Sequence, residues 1–247
     1  MNFLTQEGNY GMSDRYQTIT TGQVIEEFKQ HGMVLDTVQA SKTRKEGKDG
    51  FQKHLVRMSY GDDKEHGVKH QIVMFNSYDG SSSLQLQFGM FRFVCSNGLV
   101  AGEDLVEPMK IMHSNQSWKG YVHEFINNFE TNLQKQRDWI DNLRIKRMSS
   151  FDIEKLCYEA MSLREVGDER KKVLDSLELQ TVRRMEDRGS CAFEVFNRVQ
   201  ENLILGGYSK MGYHDGNPIV RKAKELKDPA RLISVNSRLS ELITEMV

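Results

Sequence analysis

At 247 residues, with 38% hydrophobic and 28% charged side chains, the chain is long enough for a sizeable core and has the make-up of a soluble globular protein. Its 34 basic and 35 acidic residues leave a net charge of −1, which excludes a uniformly basic histone-like coat and a strongly acidic DNA mimic but permits local basic patches. No run approaches the roughly 18 apolar residues of a membrane span. Met1 to Tyr10 lacks the basic and apolar regions of a secretory signal and is expected, with residues 11 and 12, to be extended or disordered. Cys95, Cys157 and Cys191 lie far apart with no CxxC, so neither disulfides nor a zinc ribbon is expected, and the compartment is a reducing cytoplasm.

In chain order, Thr20-Thr21 caps a helix with Val24, Ile25 and Phe28 inward, stopped by Gly32. Residues 33–39 read as a first strand, 41–50 as a polar loop, 51–60 as a strand and 61–67 as a charged turn. Residues 68–76 follow, with Ile72-Val73-Met74-Phe75 apolar on both faces, the mark of a covered central strand. Tyr78-Asp79-Gly80 turns the chain into a partner strand at 82–94, so 68–76 and 82–94 should pair antiparallel. Asn97-Gly98 turns again, and Met109, Ile111 and His113 form a last alternation. From Ser117 the period becomes 3.6: a helix at about 118–143, a second capped by Ser149 or Ser150, a third from Ser190 to Gly206-Gly207, a polar loop over 208–230, and a C-terminal helix from Asp228. Strands first and helices after give an α+β fold, an antiparallel sheet at about 33–113 covered by helices, in a single domain over 13–247.

The chain holds no GxGxxG, Walker loop, HExxH or GxSxG, so no cofactor and no metal are expected. His66 and His70 are four apart in strand territory, where that spacing does not bring two ligands together. Three segments carry more information. Asn76-Ser77-Tyr78-Asp79-Gly80-Ser81-Ser82-Ser83 is either a hairpin built on Asx chemistry or a polar loop offered to a phosphate or partner. Arg92, between Phe91 and Phe93 and followed by Asn97, is either a buttress for a carboxylate such as Asp79 or part of a sheet that stacks bases and pairs phosphates. Asn197, Arg198, Glu201 and Asn202 form a polar helical arc suited to directed hydrogen bonds. These segments are expected to meet, together with His113, in one cluster in which Arg92 or Arg198 contacts Asp79 or Glu201.

Basic residues outnumber acidic ones six to two over 41–57, five to two over 135–147 and five to two over 221–231. Lys42, Arg44, Lys53, Arg57 and Arg92 are the candidates for one continuous nucleic-acid surface. Tyr121, Ile126 and Trp139 broaden the apolar stripe of the 118–143 helix and suggest a homo-oligomer.

Several of these stretches occur together in known proteins. Ser13-Asp14-Arg15-Tyr16, Lys53-His54-Leu55-Val56-Arg57, Asn76-Ser77 with Asp79-Gly80-Ser81-Ser82-Ser83, Phe91 to Cys95 with Asn97 to Val100, His113, and Arg198 to Ile204 with Gly206-Gly207 make the chain resemble an uncharacterised family of phage, prophage and plasmid proteins. That family, a domain of unknown function, includes the cryptic-prophage proteins YafZ and YfjQ of enteric bacteria. The resemblance spans residues 13–207 and implies a mobile-element context rather than a chemistry. The expected function is therefore a non-enzymatic protein that binds single-stranded DNA and assists recombination or annealing. The competing reading is an inhibitor that binds a protein of a host defence (anti-restriction or similar) system, and an enzyme using Asp79 and His113 comes third.

Overall fold

The computed structural model describes residues 11–13, 15–41, 43, 47–65, 67–92, 98–100, 109–114, 116–165 and 172–247. Where one domain was expected over 13–247, the chain packs as two compact units, 1–135 with 228–230 and 136–227 with 231–247.

In the first unit, helix α1 (Thr21–Gln30) starts at Thr20, whose hydroxyl accepts from the Gln23 amide while the Gln23 side chain accepts from the Thr20 amide. Strands β1 (Val34–Ala40), β2 (His54–Asp63), β3 (Val68–Asn76) and β4 (Leu84–Arg92) follow as an antiparallel meander. The expected pairing is present, with Ile72 opposite Phe88 and Met74 opposite Leu86. Beyond β4 the sheet continues with two short strands that follow one another along the same edge: β5 (Gly98–Val100) against Gly89–Phe91, and β6 (Met109–Ile111) against Leu84–Leu86. At the other edge, β1 is broken by a bulge at Asp36, between the pairs Leu35–Met58 and Thr37–Arg57. The bulge turns Asp36 to the sheet face that carries Ser59, Lys69 and Gln71, and all three donate to its carboxylate at 2.9–3.0 Å.

Even-numbered residues of β2–β4 face the helices. Val56, Met58, Ile72, Met74, Leu84, Leu86 and Phe88 pack with Val24, Ile25 and Phe28 of α1 and with Val122 and Phe125 of helix α2 (Trp118–Asn127). Phe88 stacks on Phe125 at 4.1 Å between ring centres. The odd-numbered face is buried too, through Leu55, Arg57, Gln71, Val73, Phe75 and Gln87, which accounts for the apolar run on both faces of β3.

The single long helix expected from Trp118 is two helices. A turn at Asn128 separates α2 from α3 (Phe129–Ile145), although the Asn128 amide still reaches the Glu124 carbonyl and its own carbonyl accepts from Asn132. In the second unit α4 (Ser150–Arg164) is capped by Ser149 with Asp152. Helix α5 (Ala192–Leu205) is buried on nearly every side. Helix α6 (Pro229–Glu245) contributes Val235, Leu239 and Ile243 to that unit's core. Trp139 meets Phe196 edge-on and donates its indole N–H to Thr244 at 2.8 Å, and in the first unit Ile126 joins the core. Two of the three residues that suggested a partner subunit are thus used inside their own chain, leaving Tyr121 exposed.

The polar loop expected at 208–230 contains a hairpin instead, β7 (Ser209–His214) and β8 (Asn217–Lys222). Its two-residue turn, Asp215-Gly216, has positive φ at both positions, 49° and 79°, the combination that matches the right-handed twist of the flanking strands. The Asp-Gly pair was a legible signal; scarcity of apolar residues around it hid the strands.

Helix α5 ends at Gly206, whose φ of 75° carries the chain away. A Cβ there would lie 2.4 Å from the Ala223 carbonyl oxygen. Gly206→Ala is therefore expected to destabilise the second unit by roughly 2–4 kcal/mol, read as a lower urea midpoint.

Candidate functional site

The loop after β3 and the chain segments around it build a buried polar network in the first unit. Asn76, the last residue of β3, uses all four of its hydrogen-bonding positions. Its Oδ1 accepts from the Ser77 amide at 2.9 Å and lies 2.9 Å from His113 Nε2; its Nδ2 donates to the Ile19 carbonyl and to Thr21 Oγ1, both at 3.1 Å. His113 Nδ1 accepts from the Ile19 amide at 3.2 Å, so the proton of its neutral ring sits on Nε2 and points at Asn76. Thr21 Oγ1, receiving from Asn76, passes its own proton to His54 Nε2 at 2.6 Å, and His54 Nδ1 donates to the Gln52 carbonyl at 3.0 Å. The chain His113, Asn76, Thr21, His54, Gln52 therefore has one direction throughout. Burial lowers the pKa of both histidines, which keeps both rings neutral.

The serine-rich turn closes over this network. Ser77 Oγ accepts from the Ser82 amide at 3.0 Å, and Tyr78 OH accepts from the Thr21 amide at 2.7 Å. Asp79 accepts from the Ser81 amide and hydroxyl and pairs with Lys48 Nζ at 2.6 Å. Burial works against its charge, but Lys48 and these hydrogen bonds outweigh it and hold the carboxyl down to about 2. Tyr16 stacks on His113 with ring centres 4.8 Å apart, and burial with the nearby Asp79 pushes its phenol up to about 12.

Beside this stack opens a cleft of about 290 Å³. Arg15, Tyr16, Ser82, Ser83, Met112, His113 and Ser114 are among the residues that line it. The Arg15, Met112 and Ser114 side chains are exposed, so the cleft presents a cation, hydroxyls, apolar surface and a stacked phenol ring together.

The segments expected to meet are divided between the two units. Asn76, Ser77 and His113 come together in the first unit, with Asp79 in the same turn, while Arg198, Glu201 and Asn202 belong to the second. Arg198 contacts neither Asp79 nor Glu201: it donates to Gln180 Oε1 at 2.8 Å and to the carbonyls of Asp187 and Gly189. Glu201 pairs with Arg184 at 2.8 Å. Asn202 Nδ2 bonds the carbonyls of Leu179, Thr181 and Arg198, and its Oδ1 accepts from Arg183 at 2.6 Å. Asn197 Nδ2 bonds the Phe193 carbonyl. The polar arc of α5 thus fastens segment 176–189, two 3₁₀ turns and their linkers, onto the helix, and its role is structural.

The expected basic surface is also revised. Arg57 is only 7% exposed, on the odd face of the sheet, and its Nε has no hydrogen-bond partner among the described residues. Burial lowers its pKa while nearby Asp36 raises it, so the guanidinium supports the fold and does not face solvent. Lys53 is half-buried just before β2, and its carbonyl accepts from Ser41. Lys42, Arg44 and Asn97, and the Arg92 side chain, lie outside the described residues. Arg15 was missed as a site residue; its one signal was its place beside Tyr16 in the quoted family stretch.

As for other chemistry, His70 is buried with its Nε2 3.2 Å from Asp63, and His66 and Cys95 lie outside the described residues. Burial pushes the Cys157 thiol up to about 11, away from nucleophilic use. No group of three metal-ligating side chains occurs among the described residues. Likewise, no helix among them is long and apolar enough to cross a membrane.

Comparison with known proteins places these features in a family. The model of a family described as a domain of unknown function, DUF932, matches residues 11–234. Two proteins of Escherichia coli strain K12, the UPF0380 proteins YafZ and YfjQ, are each 25% identical over 232 residues, covering 93% of this chain and 82% of their own length. No solved structure matches.

Two outcomes test the network. Asn76→Ala leaves His113 Nε2, the Ile19 carbonyl and Thr21 without that partner and is expected to cost roughly 2–4 kcal/mol, measured by chemical denaturation. Both histidines titrate lower in the folded chain than the ordinary 6.5, so above that pH neither affects stability. As pH falls below it the unfolded chain takes up protons that the folded chain refuses. Stability should drop by at most about 2.7 kcal/mol per pH unit for two protons, and His54→Gln should flatten that drop in thermal melts.

Proposed function

Because the chain belongs to the DUF932 family, whose description carries no activity, we propose its function from its own residues: a non-catalytic mobile-element protein that binds single-stranded DNA in the host cytoplasm and assists recombination or annealing. The observation that carries this reading is the cleft beside His113. Arg15 and the hydroxyls of Ser82, Ser83 and Ser114 suit a phosphate and sugar, while Tyr16 and Met112 offer apolar surface to a base. Such a mixture reads backbone and base faces without needing sequence-specific edges. A non-catalytic role agrees with His113, whose two ring nitrogens are both engaged by Ile19 and Asn76, and with Asp79, which is committed to Lys48 and Ser81. The resemblance to phage, prophage and plasmid proteins supplies the mobile-element context.

A second reading, an inhibitor that binds a host defence protein, draws on the second unit. Ile145, Phe151 and Met185 are 80%, 73% and 65% exposed there, more apolar surface than a self-contained unit needs.

Fluorescence anisotropy with a labelled oligodeoxythymidylate at low salt decides between them. Wild-type protein should bind with affinity that falls as salt rises, by a logarithmic slope of about 0.7 per phosphate contact. Arg15→Glu should weaken binding roughly tenfold and reduce the slope by about one contact, with no change in melting temperature because Arg15 is exposed. Absence of binding by the wild type would remove the DNA reading and leave the protein-binding one.

A further inference from the structure

The β7–β8 hairpin has a surface that the folding of the second unit does not use. Its register places Met211 opposite Val220 and Tyr213 opposite Pro218, which puts these four apolar residues on one face of the ribbon. Tyr213 is 57% and Val220 62% exposed, and Pro218 is exposed as well. On the other face Arg221 lies along the ribbon toward its tip: a Cβ on Gly212 would come within 2.7 Å of Arg221 Cδ, and Arg221 Nη2 donates to the Tyr213 carbonyl at 2.9 Å. The guanidinium is thereby held beside the backbone of the exposed tyrosine.

Charge on this element is one-sided. Residues 209–224 contain Lys210, Arg221, Lys222 and Lys224 against the one acid Asp215. Lys210 and Lys222 are answered by Glu165 and Glu178, and Asp215 by His214. Arg221 and Lys224 have no ion-pair partner among the described residues. An exposed aromatic ring opposite a proline, with one unanswered cation (Arg221) on the same hairpin and a second (Lys224) two residues past its end, matches a polyanion that carries flat aromatic groups better than it matches a neutral apolar partner.

We propose that the β7–β8 ribbon is a second contact for single-stranded nucleic acid, in which Tyr213 and Pro218 stack a base, Arg221 takes a nearby phosphate, and Lys224, just past the end of β8, takes a phosphate farther along the strand. This rests on the single-strand reading above, but its residues are all distinct from those of the cleft. The ribbon is pinned at its base, where the Leu174 amide donates to the Ser209 carbonyl, so its tip is presented by a fixed support.

The test uses the full chain and an oligodeoxythymidylate carrying 5-iodouracil, which crosslinks on irradiation to an aromatic ring stacked upon it. Mass spectrometry should find a crosslink on Tyr213. Tyr213→Ala should weaken binding about 5- to 100-fold, whereas Tyr213→Phe, which keeps the ring, should bind within about twofold of wild type. Lys224→Ala should lower the salt slope by about 0.7. Equal melting temperatures will show that these exposed positions do not act through folding. If the wild type binds but Tyr213→Ala binds equally well and crosslinks map elsewhere, the ribbon proposal is overturned while the cleft reading stands. Loss of affinity in Tyr213→Phe as great as in Tyr213→Ala overturns base stacking. A wild type that binds no oligonucleotide overturns both proposals together.

Discussion

The first unit depends on one side chain. Asn76 stands where β3 ends and reaches three other parts of the chain: the segment before α1 through Ile19, the first turn of α1 through Thr21, and the segment just after β6 through His113. An amide is the side chain that can accept twice and donate twice from one planar group, and here all four capacities are met. A carboxylate would lack the two donors and a leucine all four. The interior position makes substitution costly, because each abandoned partner would be left without water to replace it. The hairpin turn, the helix cap and the His113 side of the cleft are consequently set by one hub, and Tyr16 reaches the cleft against a histidine whose orientation that hub fixes.

The second unit uses the same principle with several residues. Helix α5 has so many buried polar groups that its packing cannot be apolar alone; Arg198 and Asn202 turn to carbonyls and a side-chain amide of the segment it holds, Glu201 pairs with Arg184 of that segment, and Asn197 bonds back to its own helix. Segment 176–189 forms only two short 3₁₀ turns, so most of its backbone groups find few partners within it. Arg198 and Asn202 of α5 supply some of those partners. Buried polar networks of this kind favour one arrangement over others of similar hydrophobic content.

Much of the fold was legible because its signals are local. The capping pattern at Thr20, the two-faced apolar run of β3, the Asp79-Gly80 turn and the 3.6-residue period after Ser117 each require only a few neighbouring residues. The site was less legible because its relations are non-local. Nothing near Arg57 in the sequence announces that both faces of the sheet are buried, so an arginine in a basic stretch read as surface. The polarity of Asn197 to Asn202 was visible, but its object, a segment up to twenty-three residues earlier, was not. The β7–β8 hairpin escaped because neither strand has a buried face alternating with an exposed one, the pattern on which strand recognition relies.

The bulge at Asp36 has a consequence for how the protein keeps its own company. An edge strand is a template on which a sheet can grow, and β1 ends the sheet with exposed Val34 and Val38, side chains that favour such growth. A newcomer would need an uninterrupted ladder of backbone groups, and the extra residue at Asp36 breaks the ladder after two positions. Because that carboxylate is moored by Ser59, Lys69 and Gln71, the interruption cannot be smoothed away without stranding an acid. The irregularity is therefore of the kind that disfavours growth of a sheet from its edge into a second molecule.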